Sequence, residues 1–217
     1  MGSITIDNVL IEWLGYAGFM IKAEELVVHI DPYLLPDVFS PEDMADILLI
    51  THEHEGHCNP DSIRKVRKPR ATTLIPENMS LQFRGDARRV EEGDSLTGDL
   101  NIKGVGIEVV PAYNVGSDYH SRADGVGYVV EIGGLKIYHA GDTGLIPEMN
   151  GISCDIALLP IGGTSTMDEE QAADAVAILS PKTVIPMHYG ADGISANPEK
   201  FSAMVKERSP GTDVAIL

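Results

Sequence analysis

Residues 46–60, DILLITHEHEGHCNP, constrain the folding of this chain more than any other stretch. The uninterrupted apolar run 47–50 has the length of a strand buried on both faces and is too short for a convincing helix. His52, His54 and His57 follow at once, with Glu53 and Glu55 between them. Asn59, Pro60 and Asp61 then supply an N-cap, a proline at the first helical position and an acid in the first turn, so a helix is expected over 60–66. The stretch spells strand, histidine-rich turn, helix. Three of the chain's seven histidines thus fall within six residues, on a loop held between two rigid elements. Imidazole is the commonest protein ligand for zinc and suits iron and nickel as well, so this clustering points to a metal.

The same ending recurs elsewhere. Leu26–Ile30 is an apolar strand that ends in Asp31, Leu135–His139 runs into Asp142, and Thr183–Met187 is followed by His188. If these strands share sheets, their ends gather on one edge, where loops are free to vary and strands fix them. Strand pairs are expected at 9–14 with 19–22, and at 127–132 with 135–139 across Gly133-Gly134. Residues 105–112 read as a firm strand and 73–75 as a short one, while 76–104 is weakly patterned and suits short edge strands. Thr166 and Glu169 have the spacing of a capping box ahead of a helix with Ala172, Ala173, Val176 and Leu179 on one face. Asn197-Pro198-Glu199 starts a last helix, and 214–217 suits a closing edge strand. The basic stretch 64–70 reads as a solvated helix face, and His29 and His139, inside apolar strands, as packing or supporting residues.

The element HEHEGH at 52–57 resembles the HxHxDH motif of the metallo-β-lactamase superfamily. Further along, YHAGDTG (138–144), LLPIGG (158–163) and IPMHYG (185–190) are similar to its UlaG-like branch of metal-dependent hydrolases. The resemblance covers essentially the whole chain in order. It implies an α/β fold, an αββα sandwich in a single domain over residues 1–217, with a metal site along one edge. It also implies His52, His54, His57, Asp142 and His188 as metal ligands, with Asp142 bridging two ions and Asp31 orienting a histidine from behind. Two positions depart from the pattern. Gly56 stands where the motif carries an aspartate, and Asn114 where the third motif carries a histidine. His120, six residues on in a long polar loop, is the candidate to complete the first metal site or to contact substrate. Gly162-Gly163 could present backbone N–H groups to an anion.

The expected chemistry is hydrolysis. A divalent ion, zinc first and manganese, iron or nickel as alternatives, lowers the pKa of water and polarises a carbonyl or phosphoryl oxygen. One or two ions fit, and Asp142, Asp31 and His120 form the expected catalytic set beside the ligands. A small polar substrate is expected: a lactone, a phosphoester or a phosphorylated sugar derivative. The alternative is a degenerate, non-enzymatic metal-binding module of the same fold. Diiron electron-transfer relatives replace a first-motif histidine with an acid, and the intact His54 argues against them. A net charge of −17 excludes a nucleic-acid backbone as main partner. No apolar run has transmembrane length, the first residues lack the pattern of a secretory signal, and Cys58 and Cys154 make no disulfide framework. A cytoplasmic protein without membrane partners is therefore expected, with a homo-oligomer left open.

Overall fold

In the computed structural model, which describes residues 2–35, 39–117, 119–190 and 194–217, the chain forms two seven-stranded sheets. The first contains β1 (Ser3–Ile6), β2 (Val9–Trp13), β3 (Phe19–Ala23), β4 (Leu26–Ile30), β5 (Ala45–Leu49), β6 (Arg67–Pro76) and β7 (Ala87–Val90), in chain order across the sheet. The second contains β8 (Ser95–Leu96), β9 (Gly106–Pro111), β10 (Val126–Ile132), β11 (Leu135–His139), β12 (Ile156–Pro160), β13 (Thr183–Met187) and β14 (Asp213–Val214). Both halves pair alike: four antiparallel strands, then three more added in parallel. Parallel strands need crossovers that cover the sheet faces. Helices α1 (Pro60–Val66), α2 (Glu169–Leu179) and α3 (Pro198–Arg208) lie in three of the six crossovers.

Burial shows why the layers stack. Ile11, Phe19, Ile21, Ile47 and Leu49 of the first sheet meet Ile107, Tyr128 and Ile137 of the second in one inner core. The outer face of the second sheet packs Ala157, Leu159 and Val184 on α2 and on Phe201 and Val205 of α3. On the other side Leu48 and Ile50 pack on Ile63 and Val66 of α1. β12 and β13 are buried at every residue, as strands covered on both faces must be. This is the αββα sandwich. Among the described residues no helix is long and apolar enough to cross a membrane.

Local signals set several boundaries. Asn59 caps α1 by accepting from Ser62 N–H at 3.0 Å, with Pro60 in the first turn. Gly133 and Gly134 turn β10 into β11 with φ of 58° and 81°, the left-handed pair a two-residue hairpin demands. Three expectations need correction. The capping box of α2 lies two residues later, with Asp168 and Gln171 exchanging the bonds assigned to Thr166 and Glu169. The basic stretch is helical only to Val66; from Arg67 it belongs to β6, because pairing with β5 outweighs the weak local pattern, across a bulge between Ala45 and Ile47. At the far edge β14 is only Asp213–Val214, although Ala215 N–H still donates to Val184 O at 3.0 Å.

His29 in β4 is a core histidine, fully buried, with Nε2 2.8 Å from Asp43 O. Burial pushes its imidazole down to about 4, against the pull of that hydrogen bond. An unfolded chain protonates this group near its ordinary 6.5, so between the two values only the unfolded state gains a proton. Its contribution is intact above 6.5 and lost as pH falls toward 4, a loss of about 3 kcal/mol. Urea unfolding at pH 7 and pH 4.5 should show this component in the wild type and not in His29→Leu. Equal acid sensitivity of the two proteins would disprove it.

Candidate metal centre

The end of β4 carries the first organising group. Asp31, wholly buried, adopts φ 45°, and its N–H donates to Leu49 O at 3.0 Å. Its carboxylate accepts from Thr51 N–H at 2.8 Å and from the Thr51 hydroxyl at 2.5 Å, and lies 2.8 Å from His57 Nδ1. A carboxylate only accepts, so the proton on His57 faces it from Nδ1. The Thr51 hydroxyl, having donated to Asp31, accepts from His52 Nδ1 at 3.0 Å. One buried acid therefore sets two histidines, one directly and one through a threonine, and turns both Nε2 atoms inward. Sequence reasoning missed Thr51. Nothing but its place between a buried strand and His52 marks it.

The second organising group is Asp142, beyond the end of β11. Its carboxylate lies 3.1 Å from His188, 3.4 Å from His57, 3.6 Å from His120 and 3.8 Å from His52. His120 arrives on the long loop after β9. Its Nδ1 donates to Ser165 O at 2.9 Å, and its Nε2 stands 3.0 Å from His54 Nδ1. That loop is anchored by Arg122, which pairs with Glu92 at 2.9 Å and Glu148 at 2.6 Å. The two sheets are tied at this edge by Tyr128, whose hydroxyl donates to Ile50 O at 2.8 Å, and by Val126 N–H donating to Thr51 O at 2.9 Å.

All the residues expected at the site thus converge: His52, His54, His57, His120, Asp142 and His188, with Asp31 behind. Their potential ligand atoms form three groups, each within 4.8 Å: His52 with His54 and His120, His57 with Asp142 and His188, and Asp31 with His52 and His57 behind them. His54 is the exposed member; the others are buried. His139, also buried, donates from Nε2 to Ala17 O at 2.8 Å and accepts from Gly141 N–H at Nδ1, a packing role.

The two departures have local explanations. Asn114 is turned away, its amide donating to Tyr119 O at 3.0 Å and Ser165 O at 2.7 Å, so it ties down the loop that carries His120. At Gly56 a Cβ would lie 2.6 Å from Cε1 of the Tyr16 ring, closer than real contacts allow. An aspartate there would have to expel that ring. Glu55 is exposed and belongs to no ligand group among the described residues, while Glu53 is held by Ser80. Nor does Gly163 present its N–H to an anion, since that group donates to Met167 O at 3.0 Å.

A divalent ion fits these residues. His52 Nε2, His57 Nε2 and Asp142 Oδ1 are buried without a hydrogen-bond partner, which is costly unless something else satisfies them. Two imidazoles bound to one zinc at tetrahedral angles stand about 3.4 Å apart, close to the separation of His54 and His120. Burial and the neighbouring imidazoles hold His52 well below its ordinary range, and burial also lowers His120, which favours the neutral form a ligand must have. His57 behaves otherwise. Burial lowers it, but Asp142 and Asp31 outweigh burial and raise it to about 10, while His57 and His188 hold Asp142 well down against its own burial. Without metal the pair is an imidazolium facing a carboxylate.

Known proteins resemble this chain in sequence and fold. A family model described as a β-lactamase superfamily domain matches residues 10–188. A UPF0173 metal-dependent hydrolase of Thermococcus kodakarensis is 36% identical over 221 residues, covering 96% of each chain. One from Methanopyrus kandleri is 34% identical, covering 95% of this chain and 96% of its own. The structure of Igni18, a metallo hydrolase from Ignicoccus hospitalis, superposes with a TM-score of 0.77 at 28% identity, over 96% of this chain and 94% of that one. With matches running through every strand that feeds the histidine cluster, the chain belongs to the β-lactamase superfamily, among its metal-dependent hydrolases.

Proposed function

We propose that the chain hydrolyses a small polar substrate with zinc, one ion held by His52, His54 and His120 and a second by His57, Asp142 and His188. The observation that carries this reading is the set of buried, unpartnered imidazole and carboxylate atoms converging around Asp142. Zinc is the natural occupant of a donor set with five imidazoles and one carboxylate, since softer thiolates are absent from it and harder ions favour all-oxygen sites. When bound, the ion supplies a Lewis acid and lowers the pKa of water. The protein's own residues do the rest. Asp31 and Thr51 fix the rings of His57 and His52, Asp142 balances the positive charge, and the Arg122-anchored loop holds His120 in place.

Substrate size follows from the surroundings. The cavity beside His52 and His54, bounded by Asn78, Met79 and Asp124, is about 160 Å³. A second, of about 220 Å³, lies between Asn114, Gly144, Ser165 and Gln171. Both suit a lactone, a phosphoester or a phosphorylated sugar derivative. A wider concavity, about 810 Å³, runs over α1 and includes no site histidine.

Elemental analysis of purified protein, followed by a panel of esters, lactones and phosphodiesters, tests the reading. Two ions per chain are expected, falling by one in the His52→Ala/His54→Ala double variant, with turnover of at least one substrate class. Unchanged stoichiometry in that variant would refute the ligand assignment.

A further inference from the structure

The loop between β2 and β3 brings an aromatic ring to the metal centre that no ligand pattern assigns. We propose that Tyr16 is a positioning residue for the His57–Asp142–His188 group: its ring, admitted by the absent side chain at Gly56, walls that group and locks His188 in its ligand orientation. The proposal rests on the reading that this group holds an ion.

The Tyr16 ring lies 4.0 Å from the His188 ring, tilted by 39°, and meets His57 edge-on at 5.3 Å. On its far side His188 abuts Gly162, where a Cβ would stand 2.5 Å from His188 Nδ1. The imidazole is therefore confined between an aromatic face and a glycine, with Nε2 3.1 Å from Asp142. A Cβ at position 56 would come within 2.6 and 2.9 Å of the Tyr16 ring carbons, so the glycine and the tyrosine occupy one shared space. Any side chain at 56 displaces the ring.

The backbone reports the same coupling. Tyr16 and His188 both sit in the left-handed region, at φ 56° and 61°, which costs free energy for residues other than glycine. They are joined directly, His188 N–H donating to Tyr16 O at 2.8 Å, and the same carbonyl accepts from Trp13 Nε1 at 3.0 Å. Two strained residues from opposite sheets hold one another, and strain of that kind persists where the surroundings over-determine it. Tyr16 thus sets the ligand count on this side at three and turns the open side of the group away from Gly56. The role belongs to the ring, not to the hydroxyl.

Zinc titration by calorimetry, with metal counts after dialysis, separates these parts. Tyr16→Phe should bind both ions as the wild type does. Tyr16→Ala and Gly56→Ala should each weaken the second ion about tenfold, the lower end of supporting-residue effects, and leave the first unchanged. Because both act on one space, the Tyr16→Ala/Gly56→Ala double variant should be no worse than Tyr16→Ala alone. Tyr16→Leu keeps apolar bulk and replaces Tyr16→Ala should the latter unfold. Wild-type affinity for both ions in Tyr16→Ala or Tyr16→Leu overturns the role of Tyr16 alone, as do additive losses in the double variant. A wild-type chain that binds no second ion overturns the reading of the site along with it.

Discussion

Asp142→Asn should strip the centre of its tightly bound metal while leaving the fold intact. The substitution keeps the shape of the side chain and removes the one carboxylate that lies within 4 Å of His52, His57, His120 and His188. What remains is an amide whose oxygen is a weak ligand and whose N–H groups face imidazoles already committed as donors or as ligands. A divalent ion loses both a bond and the charge that offsets it. Losses of supporting groups cost ten- to a hundredfold in affinity, so removal of this central carboxylate should cost about a hundredfold or more. Zinc titration of metal-free protein, with circular dichroism as the control for folding, measures it. Retained affinity would show that the ions bind without Asp142 and that His52, His54 and His120 suffice.

Metal binding should also release a proton, and the source should be His57. In the metal-free chain Asp142 and Asp31 hold its imidazolium up to about 10 despite complete burial. A metal ligand must be neutral, so near pH 7 the ion displaces about one proton from this ring. The sign is unambiguous. Protons compete with the ion below the raised value, so affinity for the second ion rises by about tenfold per pH unit from roughly pH 6 to 8. It should level off as the pH approaches the value of His57 itself. Calorimetry at pH 7 in buffers of different ionisation enthalpy counts the protons directly. His57→Ala should abolish the pH dependence together with binding of the second ion. Zero protons released by the wild type would mean that His57 is neutral before the metal arrives.

The strands that feed the centre were legible because each is a short apolar run with an abrupt polar end. β4 stops at Asp31, β5 leads to His52 and β13 to His188, and runs of that length between polar breaks suit buried strands better than helices. α1 was legible to its first residue, since the Asn59 side chain and Pro60 act within one turn. These signals depend on neighbours a few residues away, which a sequence displays directly. The limits of β6 were not legible, because Arg67 is drawn into the strand by pairing with Ala45 of β5, across an irregularity that no local pattern displays.

The chain by itself displayed the inventory of the centre: apolar runs that end near Asp31, His52, Asp142 and His188, with His54, His57 and His120 in the loops beyond. Only the tertiary structure decided how they are aimed. His120 rather than Asn114 joins the group because the loop folds back on Ser165 and Tyr119, a choice no spacing encodes. Thr51 acquires its role from Asp31 on the neighbouring strand, and Gly56 acquires its meaning from Tyr16, a residue on a different loop. Ligand identity is a property of residue type, so it survives in the sequence. Ligand orientation is a property of hydrogen bonds and excluded volume between segments distant along the chain, and it exists only once the two sheets have packed.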